Sequence, residues 1–101
     1  MIHVIATVEV AEGRRGDFLK EFKNVVPAVR KEAGCIEYGP AVDLPTGMPQ
    51  VRFRENTVVI LEKWEGLDEL KAHLKAPHMA EYRKRVKELV IGMDVQVLEP
   101  A

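Results

Sequence analysis

The chain has 101 residues, 15 Lys and Arg against 16 Asp and Glu, a net charge of -1 and an apolar fraction of 47%. That length suits one domain spanning residues 1–101, and a domain so small buries only roughly two-thirds of its unfolded surface, so a partner subunit would help it. Balanced charge argues against nucleic acid, no apolar run approaches the roughly 20 residues of a membrane span, Met1-Ile2-His3-Val4 has no basic stretch followed by an apolar run, so no secretory leader is expected, and Cys35, alone, makes neither an internal disulfide nor a thiol metal site. These features lead us to expect a soluble, cytoplasmic domain.

Residues 2–10 alternate: Ile2, Val4, Ala6, Val8 and Val10 on one face, His3, Ile5, Thr7 and Glu9 on the other. That period predicts a strand. From Asp17 the period lengthens, and Phe18, Phe22, Val25, Val26, Val29 and Ala33 form a helical stripe. Asp17 or Glu12 would start this helix, Pro27 would kink it, and Gly34 would end it as the residue past the C-cap. Residues 35–43 read as a second strand weakened by Gly39 and Pro40. Residues 44–56, with two prolines and a glycine, read as a long connection with a protruding hairpin through Gln50–Arg54.

Residues 57–65 form the strongest strand, apolar on both sides at Val58, Val59, Ile60 and Leu61, so both faces should be covered. Gly66 opens a helix with a stripe of Leu67, Leu70 and Leu74. Pro77 ends that piece and begins the next, which continues through Met79, Tyr82, Val86, Leu89 and Val90 until Gly92. Residues 93–98 alternate again. The order βαββαβ is the ferredoxin-like α+β arrangement: an antiparallel sheet with two helices on one face. The apolar residues on the other face then predict a homodimer, packed sheet against sheet.

The strand Val59-Ile60-Leu61-Glu62-Lys63-Trp64-Glu65, followed by Ala72-His73-Leu74-Lys75-Ala76-Pro77-His78-Met79, resembles the antibiotic biosynthesis monooxygenase family. Val26-Pro27-Ala28-Val29, Lys31-Glu32-Ala33-Gly34-Cys35 and Val97-Leu98-Glu99-Pro100 add to the likeness, and within the family the chain is most similar to bacterial quinol monooxygenases. The resemblance implies a dimeric α/β barrel with a pocket between each sheet and its helices. It also implies oxidation of quinols or related polycyclic aromatic phenols by O2 without a cofactor. A haem-degrading branch uses an Asn, a Trp and a His where this chain has Thr7, His73 and Arg83, which disfavours haem breakdown here.

Such chemistry needs a base to favour the quinolate and an apolar pocket that excludes water. Glu62 and Trp64 project to the same side of their strand. Glu62 is a candidate base, the plainer alternative being a paired strand carboxylate; Trp64 is a candidate stacking surface, the alternative being a core residue. His73 and His78 have the right acid–base character, against a structural hydrogen-bonding role. Their five-residue separation does not suit a helical metal pair, so no metal is expected. Tyr38, Tyr82 and Met79 are candidate substrate contacts that could equally be packing residues. Cys35 reads as a small buried hydrophobe. The run Arg83-Lys84-Arg85-x-Lys87 reads as a solvated face with an option of attracting anionic substrates. A different class stays open: a non-catalytic dimeric module that binds a hydrophobic aromatic ligand.

Overall fold

The computed structural model describes residues 1–101. The elements run β1 (Ile2–Val10), α1 (Arg15–Arg30), β2 (Cys35–Ala41), β3 (Thr57–Trp64), α2 (Leu67–Leu74), α3 (Pro77–Val86) and β4 (Val90–Leu98). The strands form one antiparallel sheet in the order β2-β3-β1-β4. This is the expected βαββαβ arrangement, with the second helix divided by Pro77 into α2 and α3.

The register shows how alternation builds the core. Val4 pairs with Glu62, Ala6 with Ile60 and Val8 with Val58, so these side chains share the face that the helices cover. Val4, Ala6, Val8, Val58, Ile60 and Glu62 are all buried. The helix stripe meets them there: Phe18, Phe22, Val25, Val26 and Val29 of α1 are buried. Pro27 lies inside α1 on its exposed side, and the helix continues through it. One missing backbone donor costs too little to end a helix whose opposite face is packed.

Several boundaries differ from expectation, each for a local reason. The first helix stops at Arg30, four residues before Gly34, and Ala33 is exposed. Gly34 instead serves a second turn at φ +79, where a Cβ would overlap the Glu69 side chain and where its carbonyl accepts from Glu65 N–H at 2.9 Å. Gly92 does not stop the last helix. That helix ends at Val86, and Gly92 lies within β4, which already starts at Val90 and pairs Gly92 with Glu9 beside a register shift. In α2 the buried residues are Leu70 and His73, while Leu67 and Leu74 are each 51% exposed. Of the leucine stripe only Leu70 is buried, and His73 takes the other buried position.

No strand forms through Gln50–Arg54. The connection between β2 and β3 is clamped at its neck instead. The Arg54 guanidinium donates to both oxygens of Asp43 at 2.8 and 2.9 Å, its backbone N–H donates to one of them at 2.9 Å, and this fork holds the Asp43 carboxyl down to about 2. Beyond the clamp, Leu44, Met48, Val51 and Phe53 are exposed.

The helices cover one face of the sheet. The opposite face carries Ile5, Thr7, Val59 and Leu61, with Ile5 opposite Leu61 and Thr7 opposite Val59. No helix of this chain covers them, and Leu61 is 42% exposed. No helix is long and apolar enough to cross a membrane.

Candidate functional site

A cavity of about 330 Å³ lies between the sheet and the helices. Val4, Ala6 and Ile60 contribute from the inner strands, Phe18 from α1, and Met79 and Tyr82 from α3. Beside β4 the lining residues Met93, Val95 and Val97 are 64%, 49% and 49% exposed, so the cavity opens along that strand. Its only charged lining residues are Glu62, Arg83 and Lys87.

Glu62 projects inward because it is two residues from both Ile60 and Trp64 on a strand. It is 8% exposed. Trp64 Nε1–H donates to its Oε1 at 2.9 Å. Burial pushes the Glu62 carboxyl above the ordinary carboxylate value; the Trp64 hydrogen bond opposes this and the Glu32 carboxylate adds to it. The site thus holds a partly desolvated carboxylate, oriented by an indole and next to apolar space.

Tyr38 lies opposite Glu62 in the register and also lines the cavity. Burial is the main cause raising both the Tyr38 and Tyr82 phenols well above their ordinary value. Each stays a hydroxyl donor at neutral pH. Phe22 packs behind both of them, with ring centroids 5.3 Å from Tyr38 and 5.8 Å from Tyr82.

Trp64, His73 and His78 are not among the cavity-lining residues. Trp64 is fully buried under Glu62, with the His73 ring 4.7 Å away and the Tyr38 ring 6.5 Å away, centroid to centroid. His73 is 2% exposed and its Nδ1 lies 3.0 and 3.2 Å from the two Glu32 oxygens. His78 Nε2 is 2.6 Å from Glu32 Oε2. A carboxylate only accepts, so each of these ring nitrogens carries its proton. Desolvation lowers the His73 value, with Glu32 opposing it, which favours the neutral ring donating to Glu32. His78 faces a separate, polar cavity of about 200 Å³ that includes Glu21, Glu81 and Arg85. Burial, helped by Glu32 and Glu62, pushes the Cys35 thiol up, which keeps it from being a thiolate.

Glu32 is the residue that the pattern of the sequence did not single out. It lies past the end of α1 in no period, and only the fold brings it 41 positions forward to His73 and 46 to His78. Glu32→Ala should leave two imidazoles without their shared acceptor and destabilise the protein by about 1–3 kcal/mol. Urea unfolding checks this: a midpoint equal to that of the wild type would contradict it. Within the basic run Arg83-Lys84-Arg85-x-Lys87, spacing separates Arg83 and Lys87, which fall four and eight residues after Met79, from the other two cations.

The fold and this site together define a ferredoxin-like α+β domain with an apolar, carboxylate-bearing cavity between its sheet and helices. The chain belongs to the antibiotic biosynthesis monooxygenase family, whose sequence pattern it matches over residues 1–85. It is 37% identical over 102 residues to the protein of Escherichia coli K12 named probable quinol monooxygenase YgiN, covering 99% of this chain and 98% of that one. Solved structures share the fold. PA3566 from Pseudomonas aeruginosa superposes with a TM-score of 0.82 at 22% identity, covering 99% of this chain and 93% of the other. Rv0793 from Mycobacterium tuberculosis gives 0.81 at 24%, covering 99% and 94%.

Proposed function

We propose that this protein is a cofactor-independent monooxygenase that oxidises quinols or related polycyclic aromatic phenols with O2, acting as a cytoplasmic homodimer. The observation that carries the reading is Glu62: a buried carboxylate with raised proton affinity, held by Trp64 N–H, on the wall of an apolar cavity. The E. coli relative's name supports the substrate class.

Triplet oxygen reacts poorly with closed-shell molecules, but a quinolate can give it one electron. Glu62 takes the hydroxyl proton, and its raised value brings it closer to the phenolic group it must deprotonate. The hydroxyls of Tyr38 and Tyr82 donate to the substrate oxygens, Met79 packs on the ring system, and the apolar walls exclude water. Trp64 positions Glu62, while His73 and His78, joined through Glu32, brace Trp64 from behind. The overall step balances without another reductant: one quinol and one O2 give one hydroxyquinone and one water. Oxygen uptake by metal-free protein with a naphthoquinol tests the proposal, and a rate equal to the uncatalysed background overturns it.

The helix-free sheet face is the surface a second copy would cover. Leu61→Asp puts a charge on that face, opposite Ile5. It should weaken a dimer at least about tenfold. Light scattering at micromolar protein should show a dimeric wild type and a monomeric variant; a monomeric wild type removes the dimer from the proposal.

A further inference from the structure

Arg83 and Lys87 are the only cations lining the cavity. Both are exposed, whereas Glu62 is buried. The site therefore has a carboxylate inside and two positive charges at its mouth. Their position follows from the helix: residues four apart stack on one face, and Met79, which lines the cavity, begins that row. Neighbouring acids do not neutralise them. Glu21 and Glu81 pair with Arg85 instead, and neither Arg83 nor Lys87 takes part in an ion pair.

Arg83 is also held in place. Its Nη2–H donates to the Leu74 carbonyl at 2.8 Å, and Leu74 lines the cavity too. One bond uses one of the five guanidinium donors and leaves the rest of the fork free. A cation at the end of α3 also complements the helix dipole. That accounts for a basic last turn, but not for which of its members face the cavity without a partner.

We propose that Arg83 and Lys87 form an anion subsite at the cavity mouth, selecting aromatic phenols or quinols that carry a carboxylate on the ring system. This gives a substrate class to the site described above and rests on that reading for the oxidation step. The apolar ring system fills the cavity with its hydroxyl towards Glu62, and the carboxylate stays at the mouth. An uncharged ring of the same shape gains the apolar contacts but leaves both cations to solvent. Ion pairing beside an apolar wall is stronger than in open water, and salt weakens it.

The test compares a hydroxynaphthoic acid with its neutral amide by calorimetry, without oxygen. The wild type should bind the acid about tenfold more tightly at low salt, the value of one charge-assisted contact, with the ratio shrinking as salt rises. Arg83→Ala/Lys87→Ala should bring the ratio close to one. Lys87→Glu alone, which breaks no internal bond, sets a carboxylate against Arg83 and should also bring the ratio close to one, while Arg83→Lys/Lys87→Arg should keep the preference. Equal affinities in the wild type, or a preference that survives Lys87→Glu, overturn the subsite. Oxygen uptake separates the two claims. A carboxylate preference with no turnover of either a carboxylated or an uncharged naphthoquinol leaves the subsite standing and removes the oxidation step. Turnover with no preference removes the subsite alone.

Discussion

Glu62→Gln should lower the rate of naphthoquinol oxidation by about 10²–10⁴-fold, the usual contribution of a positioned general base. The substitution keeps the shape of the side chain and leaves an amide oxygen to accept from Trp64 Nε1–H, so the wall of the cavity stays in place. The loss should appear in kcat more than in KM, because the ring contacts with Met79, Tyr38 and Tyr82 are untouched. In the wild type the reaction needs ionised Glu62, so activity should fall as acidification passes through its raised value. That acid limb should lie above the range of an ordinary carboxylate, and it should disappear from the residual activity of the variant. Oxygen uptake across pH measures both effects. A variant with wild-type kcat would remove Glu62 as the base.

Stability should move in the opposite direction. The folded state raises the proton affinity of Glu62 above its unfolded value. The stabilisation linked to this group is therefore complete below the unfolded value and lost as pH rises through the folded value. Above its raised value the wild type bears a desolvated charge that the glutamine variant lacks. Glu62→Gln should accordingly gain on the wild type in melting temperature as pH rises through that value, with the gap closing in acid. A less active but more stable variant is the expected mark of a carboxylate kept for chemistry.

Much of the fold was legible because burial on one face imposes a period. The alternation of β1 and the stripe from Phe18 to Val29 placed the correct residues in the core. Strand geometry alone puts Glu62 and Trp64 on one face, and the fold adds the hydrogen bond between them. Local pattern carries no signal where a residue's environment comes from distant chain. His73 is more buried than either Leu67 or Leu74 of its own helix, because Glu32 satisfies its ring nitrogen and the Trp64 and Tyr38 rings surround it. No local pattern in residues 67–74 contains that information. Gly34 and Gly92 resemble helix stops in the sequence for a related reason. A glycine is equally suited to a second tight turn or to a close approach in a sheet, and only the neighbour across the gap decides between them.

Phe22→Ala should be the most damaging single truncation we can name away from the cavity wall. Phe22 is fully buried and central to the aromatic cluster: its ring lies 6.1 Å from Phe18, 5.3 Å from Tyr38 and 5.8 Å from Tyr82, centroid to centroid. Removing it loses the transfer energy of the ring and leaves a void that three fixed aromatics cannot close, at a cost of about 3–5 kcal/mol. Small domains have only about 5–15 kcal/mol in all, so the urea midpoint should fall steeply while its slope holds. The effect should also reach the site, although Phe22 does not line the cavity. Tyr38 and Tyr82, which do, lose the surface that fixes their rings, so their hydroxyls should no longer meet a ligand in one geometry. In molecules that remain folded, calorimetry with the neutral hydroxynaphthamide should show weaker binding. Ligand affinity equal to the wild type, beside the expected loss of stability, would mean that the two phenols are held by the sheet and α3 alone.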